Sequence, residues 1–159
     1  MKTMNRTLGR VLVTALVAGA VAAALGGVSL ARAGSGDRTL TVTEVQTGAT
    51  FVNVSHMQQG GPGDQAIFRS ALKNADGRRI GFSMVICEIV LGNKLQCNGV
   101  YHLPGGTLTG TALIPASETS TAPVHIAITG GTGRYDQASG QAVVQPQSET
   151  VNRTVFDLD

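Results

Sequence analysis

The stretch from Ile126 to Gln141, IAITGGTGRYDQASGQ, limits the fold of this chain more than any other. It opens with apolar residues at alternate positions, Ile126 and Ile128, the period of a half-buried strand. Gly130, Gly131 and Gly133 follow, and glycine reaches positive-φ backbone that bulky residues resist. Gly140 then precedes a second apolar run, Ala142 to Val144. A phosphate cradle would need a helix N-terminus directly after the glycines. Arg134 to Gly140 is polar, short and ends in glycine, so no useful helix fits there. The glycines are expected to turn a barrel corner between two strands.

The N-terminus reads as a targeting segment. Lys2, Arg6 and Arg10 precede an uncharged run from Val11 to Leu30, and Ala31-Arg32-Ala33 supplies a small-x-small cleavage site. That is the layout of a secretory signal peptide over residues 1–33, cut after Ala33. The run is long enough to cross a bilayer, so an uncleaved anchor is the alternative. Lys2, Arg6, Arg10 and Arg32 leave with the leader. Twelve basic residues thereby fall to eight against ten acidic ones, a balance of −2. Only Arg78-Arg79 forms a basic pair beyond the leader, and no basic stripe interleaves with aromatics. Nucleic-acid binding has no support in such a chain.

Residues 34–159 suffice for one domain with a core. They show no sustained 3.6-residue period, and Thr, Val, Gly and Ile are abundant, which points to an all-β sandwich or barrel. Eight strands are expected, over 38–46, 65–73, 79–90, 95–103, 106–114, 123–129, 138–145 and 149–157. An even number closes as an antiparallel meander without free edges. Asp76-Gly77, Gly92-Asn93 and Pro104-Gly105 stand where turns are needed. Residues 47–63 form a long polar connection able to cover a barrel mouth, although 50–55 offers a further short strand.

Strand 79–90 is apolar on both faces. Ile80, Phe82, Met84 and Ile86 share one side, and Val85, Cys87 and Ile89 the other. Something must then pack outside as well as inside. Another subunit would do this, or the 47–63 loop. Cys87 and Cys97 are equidistant from Gly92, so a hairpin turning there sets them face to face across neighbouring strands. That spacing approaches disulfide geometry, and a secreted chain offers the oxidising compartment. A disulfide is expected, two free apolar cysteines being the alternative.

The ITGG-Thr-Gly turn, the Gly140-Gln141 strand opening, RIGFSMVIC at 79–87 and Gly63-Asp64 resemble the allene oxide cyclase family. The GGTG turn is also similar to the dirigent family. The resemblance implies an eight-stranded antiparallel, calycin-like barrel, often trimeric, that handles hydrophobic small molecules. It also implies a glutamate near the N-terminus that helps delocalise charge as an allylic epoxide opens. Glu44 falls at that place, with Gln46 where the plant enzymes have asparagine. The residue pattern agrees: Leu40, Val42, Glu44 and Gln46 share the face opposite three threonines, so Glu44 points inward. The alternative is a strand-end carboxylate in water. The Ser-Pro pair that helps hold a water in the plant family has no counterpart in TGATFVN at 47–53.

Glu44 and Gln46 are therefore the candidate catalytic pair. Leu40, Val42, Val85, Cys87, Ile89 and Tyr101 are the candidate substrate-binding residues. The expected ligand is unsaturated lipid-, phenolic- or polyketide-like, with no cofactor. His56, His102 and His125 are too scattered for a metal site, and His125 reads as a core histidine. Two functions remain open: an isomerase or stereo-steering barrel, and a carrier or structural surface protein without chemistry.

Overall fold

The computed structural model describes residues 38–58, 60–116 and 122–159, so the expected leader and its cleavage after Ala33 lie outside the described residues. Eight strands follow in chain order. They are β1 (Arg38–Val52), β2 (Gln65–Lys73), β3 (Arg79–Val90), β4 (Lys94–Leu103), β5 (Gly106–Pro115), β6 (Val124–Gly133), β7 (Gly140–Pro146) and β8 (Val151–Leu158). Each pairs antiparallel with its neighbours, and β1 pairs with β8 to close the barrel. Closure leaves no edge strand exposed.

Turn chemistry sets the hairpins. Pro104 fixes one turn residue, and Gly105, at φ 92°, supplies the positive φ that brings Leu103 opposite Gly106. Gly92 and Asn93, at φ 77° and 56°, turn β3 into β4. That turn sets Cys87 opposite Cys97, and the two are joined in a disulfide.

The two ends of the barrel differ. At the end where β1 begins, Val42, Leu72, Leu103, Leu108, Phe156 and Leu158 are fully buried and pack into a plug. Tyr101 and Phe156 meet edge to face there, with ring centroids 5.0 Å apart. The opposite end is the mouth, bordered by residues 53–58 and 60–64, the β3–β4 hairpin and the β7–β8 turn.

Several expectations are corrected. The Gly130–Gly133 run turns no corner: it continues β6, pairing with Gly106–Thr109, and the chain reverses at 134–139. The glycines serve close approach instead. A Cβ on Gly131 would lie 2.4 Å from the Tyr135 carbonyl oxygen, so the turn folds onto the strand and delivers Tyr135 to the plug. β1 runs through Val52 because Gly48–Val52 pairs with Gln65–Arg69 beyond a bulge at Thr47. His125 is exposed on the outer face, since Val124, Ile126 and Ile128 take the inward positions of β6.

Outside β3, Met84 and Ile86 keep 45% and 43% of their surface exposed, so the 47–63 segment does not cover them. Phe82 is half-buried between a stacked His102 ring and the Arg69 guanidinium. Ile80 leaves that face: a bulge beside Leu72 turns it against the plug.

Candidate functional site

Above the plug the barrel is open. A chamber of about 370 Å³ is walled by apolar side chains of Val85, Ile114, Val124, Ile126 and Val144. Small inward residues make the space: Gly99, Gly110 and Ala112 stand where larger side chains would fill it. Glu44, Gln46, Ser70, Tyr101 and Asn152 supply its polar groups.

Glu44 is 5% exposed. Ser83 donates its hydroxyl to Oε2 at 2.8 Å, and Thr154 donates to Oε1. Register explains the cluster, because Glu44 pairs with Asn152 and Val42 with Thr154, while Ser83 projects inward from β3. Burial raises the Glu44 pKa above its ordinary value, and the Thr154 and Ser83 bonds oppose that rise without cancelling it. Tyr101 is also pushed upward, by burial first and the nearby Glu44 charge second, and so stays a neutral phenol. The site therefore pairs a carboxyl that holds its proton unusually tightly with a phenolic donor, beside apolar walls. Such a pair can protonate or hydrogen-bond an acceptor on a ligand, or, once ionised, stabilise developing positive charge.

A second compartment of about 500 Å³ lies at the mouth, lined on its apolar side by Phe51, Val52, Met57, Phe68, Ile89 and Leu95. Phe68 and Cys87 border both spaces. The mouth segment hangs on Asp64. Its Oδ1 accepts the Val54 and Ser55 N–H groups, each at 2.7 Å, and its Oδ2 accepts Ser55 Oγ at 2.8 Å and Gly61 N at 2.9 Å. The Ser55 backbone bond leads the interactions that lower the Asp64 pKa to about 2.

The residues singled out from the sequence separate by depth. Glu44, Gln46, Val85, Cys87 and Tyr101 line the chamber. Ile89 lines the mouth compartment instead. Leu40 and Val42 share the inward face but pack in the plug and border neither space. Sequence reasoning missed Ser83, Asn152 and Thr154. The signal was present for the last two, which alternate with Phe156 and Leu158 as polar residues on an apolar face, as Glu44 does on β1. Among the described residues no three His, Cys, Asp or Glu side chains gather to hold a metal ion.

Comparison with solved structures finds the same fold in several proteins. A pyocyanin demethylase is similar at 25% identity and a TM-score of 0.64, over 77% of this chain and 100% of that one. The Diels–Alderase AbmU from Streptomyces koyangensis gives 20% identity and 0.65, over 76% of this chain and 63% of that one. A pterocarpan synthase dirigent protein gives 18% and 0.58, over 77% and 86%. No curated protein sequence matches. The profile of the allene oxide cyclase barrel like domain matches residues 41–156, and with Glu44, the Gly-rich β6 and nearly all of the closed eight-stranded barrel inside that span, the chain belongs to this family.

Proposed function

We propose that the protein holds a hydrophobic small molecule in the barrel chamber and steers its ring closure or coupling. The observation that carries this reading is the Glu44 carboxyl, fixed by two hydroxyls at the edge of an open, mainly apolar space. Walls of this kind fold a flexible ligand toward one reactive geometry, and orientation alone is worth several powers of ten in rate. Glu44 adds one electrostatic contact to the charge that develops during reaction, and Tyr101 a neutral donor. Similarity in fold to a Diels–Alderase and a dirigent protein supports the same class of task.

The Cys87–Cys97 disulfide suits an oxidising compartment, and we place the mature protein outside the cell, without the leader. The outward Met84, Ile86 and Val100 suit contact between copies, as in a trimer, which light scattering of dilute protein reads directly.

A second reading is a carrier without chemistry. The satisfied bonding of Glu44 favours it, because Ser83 and Thr154 already give the carboxyl a structural role. Glu44→Gln separates the two. It keeps shape and hydrogen-bonding capacity but removes the ionisable group. In a steering enzyme, ligand affinity stays near wild type while product formation falls by a factor of ~10²–10³. In a carrier, only affinity or stability moves. Thermal-shift screening of unsaturated fatty acids, phenols and polyketide-like compounds supplies the ligand for that comparison.

A further inference from the structure

The chamber wall has one gap that the backbone does not require. Gly99 on β4 pairs directly with Gly110 on β5, and both line the chamber. Gly110 has a packing reason: a Cβ there would lie 2.6 Å from Ile126 Cγ2 and 3.0 Å from the Ala127 carbonyl oxygen. Gly99 has no such reason, and its backbone lies outside the positive-φ region that favours glycine. The nearest atoms to a Cβ on Gly99 would be Tyr101 Cε2 at 3.3 Å, Val85 Cγ2 at 3.4 Å and the Tyr101 hydroxyl at 3.6 Å. A strand glycine of this kind marks a place where a ligand can approach the backbone. Tyr101 is itself 1% exposed, with its ring held edge to face by Phe156. Its hydroxyl makes no hydrogen bond among the described residues, yet no side-chain oxygen or nitrogen there is both sealed and unbonded. The hydroxyl therefore opens onto the chamber, in the gap over Gly99. Both Glu44 oxygens already hold hydroxyls, so Tyr101 is the fully buried group whose donor remains for a ligand.

Resting on the reading that the barrel binds a small molecule, we propose that the gap over Gly99 is a carbonyl subsite: the ligand is a neutral ketone-type compound whose oxygen lies against the Gly99 backbone and accepts the Tyr101 hydroxyl. Charge excludes the anionic alternative. Among the described residues no Lys, Arg or His lines the chamber or the mouth compartment, and the ionisable acids there are Glu44 and Asp64. A carboxylate entering this space would lose its water and meet no cation. Gly99 sets the selectivity, because a side chain at that position would stand between the ligand oxygen and the phenol. Among the compounds named for screening, polyketide-like ketones are thus favoured over free fatty acids.

The test compares compounds on one skeleton, α-tetralone, tetralin and tetralin carboxylate, titrated calorimetrically into the protein at neutral pH. In wild type the ketone should bind about ten-fold tighter than the hydrocarbon, the worth of one buried hydrogen bond, and the carboxylate should bind most weakly. The infrared carbonyl band of bound, isotope-labelled tetralone should lie below its position in hexane. Tyr101→Phe should erase the ketone's advantage and leave tetralin unchanged. Gly99→Val should cut the same advantage although the phenol remains, because it covers the hydroxyl. An advantage that survives Tyr101→Phe, or a carbonyl band at its hexane position in wild type, overturns the subsite while the chamber reading stands. So does a carboxylate that binds as tightly as the ketone, or a wild type that binds tetralin and tetralone alike. If wild type binds none of the compounds, the chamber reading falls, and the subsite with it.

Discussion

Two carboxyls in this barrel have little surface in contact with water, Glu44 at 5% exposure and Asp64 at 7%, but Glu44 lies deep among the barrel walls while Asp64 lies in the thin mouth segment, and their shifts are opposite. Glu44 is raised above its ordinary pKa and Asp64 is lowered to about 2. The donors differ as well. Asp64 collects three backbone N–H groups and one hydroxyl. A backbone N–H can only donate, so it rewards the ionised form most. Glu44 has two hydroxyls, Ser83 and Thr154, which favour its ionised form but, unlike an N–H, can also rotate to accept from a protonated carboxyl. The mouth carboxylate is thus committed to its charge and holds a loop. The chamber carboxyl remains free to change protonation state beside a ligand space, which is what proton or charge chemistry requires.

The surroundings repeat the contrast. Glu44 rests on the plug, whereas Asp64 holds a segment in which Val54 and Met57 are largely exposed. Phe156→Ala, beneath the chamber, should cost about 3–5 kcal/mol because the packed site cannot collapse around the void. Val54→Ala at the mouth should stay within about 0.5 kcal/mol. Urea melts of both variants check this, and equal losses would break the distinction between a rigid base and a suspended mouth.

Thr154→Val sharpens the comparison at the Glu44 end. It keeps the side-chain shape and deletes one of the two hydroxyls, at a cost of about 1–3 kcal/mol near neutral pH. The sign follows from linkage. A carboxyl whose folded-state pKa is raised contributes stability fully present below its unfolded value of 4.5 and lost as pH rises through the folded value. Removing Thr154 raises that folded value further, so the variant should lose more at pH 7 than at pH 4. In a Glu44→Gln background the pH dependence of that loss should vanish. A Thr154→Val cost that is the same at both pH values would show that Glu44 does not titrate with its hydroxyls.

How much of this was legible in the sequence depends on range. Alternation is local, so the faces of β1 and β3 and the inward aim of Glu44 follow from period two. Depth along the barrel is not local: Leu40, Val42 and Glu44 share a face, and only closure with β8 decides that two are plug and one is chamber. The bulge at Thr47 shifts the alternation within β1, which is why its last residues read as a polar connection. The glycines of β6 mislead for a related reason. Positive φ at Gly130 and Gly133 suggests a turn, but here it serves a strand pressed against Gly105–Thr107 and Tyr135. Asp64 was the least accessible, since its partners at Val54, Ser55 and Gly61 meet it only after the loop has closed.

The smallest expected effect is confined to that loop. Because the Asp64 pKa is lowered, its contribution is present above the ordinary 3.8 and lost as pH falls through about 2. Acidification from pH 4 to pH 2 should therefore release the amides of Val54, Ser55 and Gly61, read as hydrogen exchange relative to free-peptide rates. Over the same interval Glu44 is protonated in both folded and unfolded chains, so the β1–β8 ladder around it should keep its protection. Asp64→Asn should expose the three mouth amides already at pH 5 and erase their acid dependence, because an amide offers one acceptor where the carboxylate offered two. If those amides stay protected in Asp64→Asn, the four bonds do not hold the mouth. The low pKa would then be a consequence of the loop's geometry and not its cause, and the opposite shifts would no longer separate a scaffold carboxylate from a working one.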